Sequence, residues 1–427
     1  MKDSLIYPFL NKSRGAILRS IKQTDEIYLF DVDNKKYIDG ISGLWNVNLG
    51  YNHAQIIEAI SNQAKSVPFV NLWSNTNETI ISLADRLISK TEGVSSKLMY
   101  TTTGSEAVEL SIKFARQYQH RLGNTRKKYV ISFDLSYHGT TYGAISLTGI
   151  DKEVYYEIAP LLEGISHLET YIPGKDDINK YLDYLNQYFE KNHDKIAGIV
   201  LEPVLGGAGI IKIDDKVIEK INKVCKKYSI LLISDEITTG FHRTGPFFGY
   251  QLFNDLRPDM ICVSKGITNG YLPLGAVLLN DKIIDVLGEE NIIPHFSTQN
   301  GNPICCAAAN EVLNILESED YETLNHYKSE FLYTTFSKSL RNIKFIKTIR
   351  YQGLMFGIEL NRSNGDLLMF DEVWQVATSL KENGLVIYPY ISKKTSGIVL
   401  IPSYTINEHE MIMISEIISK VLTEMNF

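Results

Sequence analysis

Cysteine is scarce in this chain, with Cys225, Cys262, Cys305 and Cys306 the four in 427 residues. None stands in a C-x-x-C pair, and three lie inside stretches expected to be core, where a buried thiol is structural. Such usage fits a reducing cytosol. Positive charge is also in deficit: 43 Lys and Arg face 50 Asp and Glu, a net charge of -7, and the pI is near 5.8. No basic field is present to draw nucleic acid or an anionic membrane. No apolar run approaches the roughly 20 residues that span a bilayer, and the opening MKDSLIYPFLNKSRG lacks the apolar core of a signal peptide. No G-x-x-x-x-G-K-[ST] occurs, so an acid at a strand end is not the metal holder of a P-loop hydrolase. No internal repeat, low-complexity tract or metal-ligand set is seen. What remains is a cytoplasmic globular protein whose partners are small molecules.

What the chain has is ordinary globular composition, 44% hydrophobic and 22% charged, and a length that buries a full core and divides into about two or three structural units. It is organised around ILLISDEITTGFHRTGPFFGYQLFNDLRPDMICVSKGITNGYLPLG, residues 230–275. Two apolar runs there, 230–234 and 260–263, are too brief for helices and are bounded by turn residues, which predicts two buried parallel strands. The first delivers Asp235 and the second Lys265, and ligands of an open α/β sheet sit at the carboxyl ends of its strands. An acid and an amine on one rim suit pyridoxal phosphate, an electron sink that a lysine holds as a Schiff base while an acidic group keeps its ring nitrogen protonated. Taken alone, a lysine at a strand end is more often a solvated surface residue.

The chain opens on an arm and a hairpin, with strands expected at 27–30 and 36–39, and continues into GISGLWNVNLGYNH. Trp45, in that Gly- and Asn-rich loop, is either an aromatic plug or a pocket wall. Two helical patterns occupy 53–93, a strand is expected at 97–101, and Thr103 with Glu106 has the spacing of a capping box. A helix starting there leaves the amides of Gly104 and Ser105 free at the sheet rim, the makings of a phosphate seat. A strand at 129–133 leads to DLSYHGTTYGA, where Tyr137 either packs or lies flat on a flat ring. A long connection, 149–195, precedes a buried strand at 196–201 that ends in Glu202. A helix at 215–228 then completes the βαβ rhythm of a mostly parallel sheet. Next come a strand at 276–279, a loop carrying Thr298 that enters a long helix, and a compact α+β segment whose last helix Asn407 and Glu410 can cap. The expected fold class is α/β: a large domain, 53–325, with a mostly parallel central sheet, and a smaller α+β domain built from 1–52 and 326–427.

Taken together, these segments resemble the class III, or omega, family of pyridoxal-phosphate-dependent aminotransferases of fold type I. The likeness rests on DVDNKKYIDG, GLWNVNLGY, TTGSEAVELSIKFAR, SYHG, LEPV, SDEITTGFHRTG, PDMICVSKGITNGYLPLGA and STQNGNP, which fall in the family's order. It implies pyridoxal 5'-phosphate as cofactor, Lys265 as the Schiff-base lysine, Asp235 as the acid on the pyridine nitrogen, and Gly104 with Ser105 as the phosphate cup. Tyr137 matches the stacking aromatic, and Ile237 the apolar residue on the ring's other face. His138 and Glu202 are counted with the cofactor-binding residues, and Trp45, with Tyr137, among those that meet the substrate. Thr298 matches a threonine that reaches the phosphate across a dimer interface, so the resemblance also implies a homodimer with shared sites. The implied activity is transfer of an amino group from an amine or amino acid to an aldehyde, ketone or keto acid, by ping-pong kinetics.

Departures from the family pattern bear on the substrate. Members that use glutamate and 2-oxoglutarate often hold the acid with an arginine before a C-terminal Pro-Pro, gated by a glutamate. Here those positions are Val399 and Gly207, and Pro402-Ser403 replaces Pro-Pro. The arginine that amine and biotin-pathway members place near Tyr388 is missing too. A guanidinium fork is the usual holder of a carboxylate, so an α-dicarboxylate partner is disfavoured unless Lys393 or Lys394 substitutes. The expected substrate is a primary amine or a terminal aldehyde or ketone, free or bound to a carrier or peptide. Thr238 stands where a glutamine is common at the cofactor's phenolic oxygen. Two other readings use the same scaffold: an aminomutase or decarboxylating transaminase, and a non-catalytic binding protein.

Overall fold

The computed structural model describes residues 4, 6, 20–152, 154–288 and 292–425; the expected N-terminal arm lies almost wholly outside them. At the centre is a seven-stranded sheet of β1 (Lys97–Thr101), β2 (Tyr129–Phe133), β3 (Ile165–Leu168), β4 (Ile196–Leu201), β5 (Leu231–Asp235), β6 (Met260–Val263) and β7 (Gly275–Leu279). Its spatial order is β1-β7-β6-β5-β4-β2-β3. Every residue of β4 to β7 is buried, because both faces of the sheet are covered. Successive side chains of a strand point to opposite faces. Leu231 and Ile233 accordingly join a core with Ala107, Val108 and Phe114 of the Gly104–Arg121 helix, while Leu232 joins the other core. That is why these strands read as unbroken Ile, Val and Leu, each such side chain contributing about 1.5–3 kcal/mol when withdrawn from water.

β5 runs parallel to β4 and β6, and β2 to β3 and β4. β7 is antiparallel to both its neighbours, β6 and β1. The connection 264–274 is too short for the crossover of a dozen or more residues that a parallel return needs. β3, a half-buried edge strand inside the long connection, and an N-terminal strand, Ile21–Asp25, were not expected from the sequence. The remaining strands run one way, so β1, β2, β4, β5 and β6 all end at one rim.

The N-terminal strands form a second sheet that Leu385–Val386 completes in parallel with Lys36–Asp39. A third sheet holds Ile346–Gln352, Met355–Leu360, Ser396–Leu400 and Tyr388–Ile391. The last helix, Glu408–Glu424, carries the expected capping box: Asn407 Oδ1 accepts the Glu410 amide at 3.0 Å and Glu410 Oε2 the Asn407 amide at 2.9 Å. Among the described residues no helix is long and apolar enough to cross a membrane, and the four cysteines are buried, free thiols.

Candidate active site

The rim holds a cavity of about 160 Å³. Thr103, Gly104 and Ser105 line it from the turn after β1, Tyr137, His138 and Gly139 from the turn after β2, and Glu202 from the end of β4. Asp235, Ile237 and Thr238 come from the end of β5, and Ser264 and Lys265 from the turn after β6. The structure thus gathers eight expected residues that are scattered through the chain: Gly104, Ser105, Tyr137, His138, Glu202, Asp235, Ile237 and Lys265.

Asp235 is the buried last residue of β5. Its Oδ1 accepts the Ile237 amide at 3.1 Å, and its Oδ2 lies 2.7 Å from His138 Nδ1. The His138 amide donates to Thr148 Oγ1 at 3.0 Å, and that hydroxyl donates to the Gly139 carbonyl at 3.0 Å. The imidazole is thereby clamped with one nitrogen on the acid, while its Nε2 is buried and without a partner among the described residues. Lys265 opens a short turn just past β6 with a left-handed φ of 38°, a strained conformation of the kind that collects at functional sites. Its Nζ donates to Thr238 Oγ1 at 2.6 Å and lies 4.9 Å from the Trp45 ring centre. Burial pulls the ammonium below its ordinary pKa, against the opposing charges of Asp235 and Glu202. Glu202 accepts the amides of Tyr137 at 2.9 Å and Gly206 at 3.3 Å. Burial pushes its carboxyl up to about 7, with His138 opposing and Asp235 assisting.

Thr103 Oγ1 accepts the Glu106 amide at 3.1 Å, so the helix starts where the capping spacing puts it. The other half of the expected box is not made. Glu106 takes the amide and hydroxyl of Thr102, at 2.7 and 2.5 Å, and His295 Nε2 at 2.8 Å. The first-turn amides of Gly104 and Ser105 have no intrahelical acceptor. Ser105 Oγ accepts the Thr140 amide at 3.1 Å, and Gly139, at φ 118°, lies so close that a Cβ there would stand 2.8 Å from Ser105 Cβ. Two turns are thus pressed together around a helix N-terminus, a site suited to an anion.

Trp45 is packed as a plug and is not among the residues that line the cavity. It is buried, its ring meets the edge of Tyr388 with centroids 5.2 Å apart, and a Cβ on Gly206 would come within 2.7 Å of its Cζ3. Thr298 is exposed on its loop and does not line the cavity. Lys393 and Lys394, considered as replacements for the family arginine, are each paired with a carboxylate. Lys393 pairs with Asp134 at 2.5 Å, and Lys394 with Asp176 at 3.1 Å and the Thr170 carbonyl at 2.7 Å. Gly139 and Ser264 were missed as lining residues. The first lay inside the SYHG segment, whereas the second, donating to the Leu274 carbonyl at 2.7 Å, had no signal.

These groups fit pyridoxal phosphate: an amine for its aldehyde, a buried carboxylate for its ring nitrogen, an aromatic and an apolar side chain for its faces, and a glycine-lined amide seat for its phosphate. The Aminotransferase class-III family profile matches residues 9–422. The chain belongs to this family. As a class-III aminotransferase it depends on pyridoxal phosphate and moves an amino group from an amine or amino-acid donor to a carbonyl acceptor in two half-reactions. It is 32% identical over 379 residues to the adenosylmethionine-8-amino-7-oxononanoate aminotransferase of Staphylococcus aureus, which covers 84% of this chain and 83% of that one. Among solved structures, a transaminase from the marine bacterium Virgibacillus superposes with a TM-score of 0.92 at 30% identity, covering 99% of this chain and 97% of its own. An amine transaminase from an uncultivated Pseudomonas species, in its PLP-bound form, gives 0.91 at 27% identity and 99% of each chain. None of these likenesses favours the aminomutase, decarboxylating or non-catalytic readings over an aminotransferase.

Proposed function

We propose that Lys265, Asp235 and the amides of Gly104 and Ser105 are the working parts of this aminotransferase, and that its donor is a primary amine. The observation that carries the proposal is the convergence of these three features on one cavity. When bound, pyridoxal phosphate supplies a carbonyl for the donor's nitrogen and a ring that takes up the electron pair left when the donor's C–H bond breaks. Lys265 Nζ tethers it. When free of the cofactor, Nζ would be the base that takes the proton from the donor carbon, its ammonium pulled below its ordinary pKa by burial. Thr238 Oγ1 orients it. Asp235 keeps a proton on the ring nitrogen, and its own orientation is set by His138 and the Ile237 amide. Tyr137 and Ile237 form the two sides of the ring slot, Glu202 braces the Tyr137 turn through its amide, and Trp45 closes the substrate side.

An amine donor is supported by the residues at and near the family's carboxylate-holding positions. Val399 is buried and apolar, Gly207 has no side chain, and the nearby Lys393 and Lys394 are already paired with carboxylates. A solved relative described as an amine transaminase points the same way. The exposed Thr298 suits a residue that serves the phosphate of a second copy, making the enzyme a homodimer. The division into 1–52 with 326–427 and a cofactor-binding 53–325 is supported by the pairing of Leu385–Val386 with the N-terminal sheet, although the Tyr321–Ser339 helix crosses its second boundary. Buried free thiols accord with a cytoplasmic enzyme.

The test is a half-reaction screen. Holoenzyme is mixed singly with primary amines and α-amino acids, and loss of the cofactor's visible band is followed. Amines are expected to react; reaction with α-amino acids alone would discard the donor assignment. Borohydride reduction is expected to leave the cofactor's mass on Lys265, and a label found elsewhere would discard the tether.

A further inference from the structure

The loop that carries Thr298 is fastened to the helix that forms the phosphate seat. Three side chains of the Gly104–Arg121 helix hold it. Gln117 Nε2 donates to the Ile292 carbonyl at 3.0 Å, Lys113 Nζ to the Pro294 carbonyl at 3.4 Å, and Glu106 Oε1 meets His295 Nε2 at 2.8 Å. Positions 106, 113 and 117 are separated by close to whole turns of an α-helix, so they form one stripe along it. Past Thr298, Asn302 Oδ1 accepts the Ile304 amide at 2.9 Å and caps the Pro303–Ser318 helix. Thr298 is therefore held between two fixed points, His295 and Asn302.

His295 is also where the loop meets the charge of the seat. Lys113 Nζ lies 3.2 Å from its Nδ1. An ammonium can only donate, so Nδ1 accepts and the ring proton sits on Nε2, aimed at Glu106. Burial raises the Glu106 pKa, but the bonds from Thr102 and His295 outweigh it and hold the carboxyl below its ordinary value. Glu106 is thus a carboxylate in the first turn of the helix whose Gly104 and Ser105 amides are free. Its Oε2 is taken by Thr102 and its Oε1 by His295. With both oxygens bonded, it does not compete with a phosphate for those amides.

We propose that His295 is a positioning residue for the cofactor's phosphate in two sites at once: its own subunit's, through Glu106, and a second copy's, through the loop that sets Thr298. This rests on the dimer reading of Thr298 above. Apoprotein is titrated with pyridoxal phosphate and with pyridoxal, which has the same ring and no phosphate. His295→Ala is expected to weaken pyridoxal phosphate roughly tenfold, the size of one hydrogen bond to a charged group, and to leave pyridoxal within about twofold. The side-chain nitrogen of Gln reaches as far as Nε2 and that of Asn only as far as Nδ1. His295→Gln is therefore expected to keep most of the affinity and His295→Asn to lose it, and this pair decides the matter if His295→Ala does not fold. A merely structural role would weaken both ligands alike or leave Gln no better than Asn, and either result overturns the proposal. If Thr298→Ala weakens pyridoxal phosphate while the His295 variants do not, this proposal falls and the dimer reading stands. If the parent sediments as a monomer with full cofactor affinity, both fall.

Discussion

Glu202 is the site carboxyl whose proton moves near neutrality, and its effect on stability has a definite sign. Burial raises its folded pKa from 4.5 to about 7. The stability associated with its protonated form is therefore full below 4.5, declines as pH rises towards about 7, and is lost above that, a swing of about 3 kcal/mol at most. Cofactor-free protein is expected to lose thermal stability across this window, and Glu202→Gln to flatten the slope. Equal slopes in the two proteins would mean that the native carboxyl ionises as readily as in water. Lys265 and Asp235 were legible because each follows a short apolar run, and the end of a buried strand is a place of known geometry. Ser264 was not legible, because its place in the site comes from a turn whose hydrogen bond to the Leu274 carbonyl leaves no local pattern.

At the scale of elements, the decisive contact is between the turn after β2 and the start of the Gly104–Arg121 helix. Gly139→Ala puts a methyl group 2.9 Å from Ser105 Cα at a backbone angle that disfavours any side chain. Overpacking of this kind costs about 1–3 kcal/mol, so cofactor affinity is expected to fall by roughly tenfold or more. Titration of apoprotein with pyridoxal phosphate measures it, and an unchanged Kd would remove the phosphate-seat assignment. The start of the helix could be read from Thr103 because a cap is a local hydrogen bond. The destination of Glu106 could not, since His295 reaches it from a distant loop.

The whole molecule bears on Thr298. Its loop carries exposed apolar residues, Ile292 and Phe296, and the Phe296 ring meets Trp73, itself 82% exposed, at 6.0 Å. Such a surface suits burial against a second copy. Sedimentation is expected to show a dimer. Thr298→Ala is expected to weaken cofactor binding while leaving the dimer intact, whereas Trp73→Asp is expected to yield monomers that bind the cofactor poorly. A monomer that holds pyridoxal phosphate as tightly as the parent would show each site to be complete within one chain.

By itself the sequence determined the class of fold and the chemistry. Strand runs, capping residues and the order of short motifs are local, and a local pattern survives whatever the rest of the chain does. Only the tertiary structure decided what those groups meet. Lys393 and Lys394 are occupied by Asp134 and Asp176, Trp45 is wedged on Gly206, and β7 runs against its neighbours. Ion pairs and packing contacts form between segments far apart in the chain, so the charge a substrate meets is what remains after the folded neighbours have been counted.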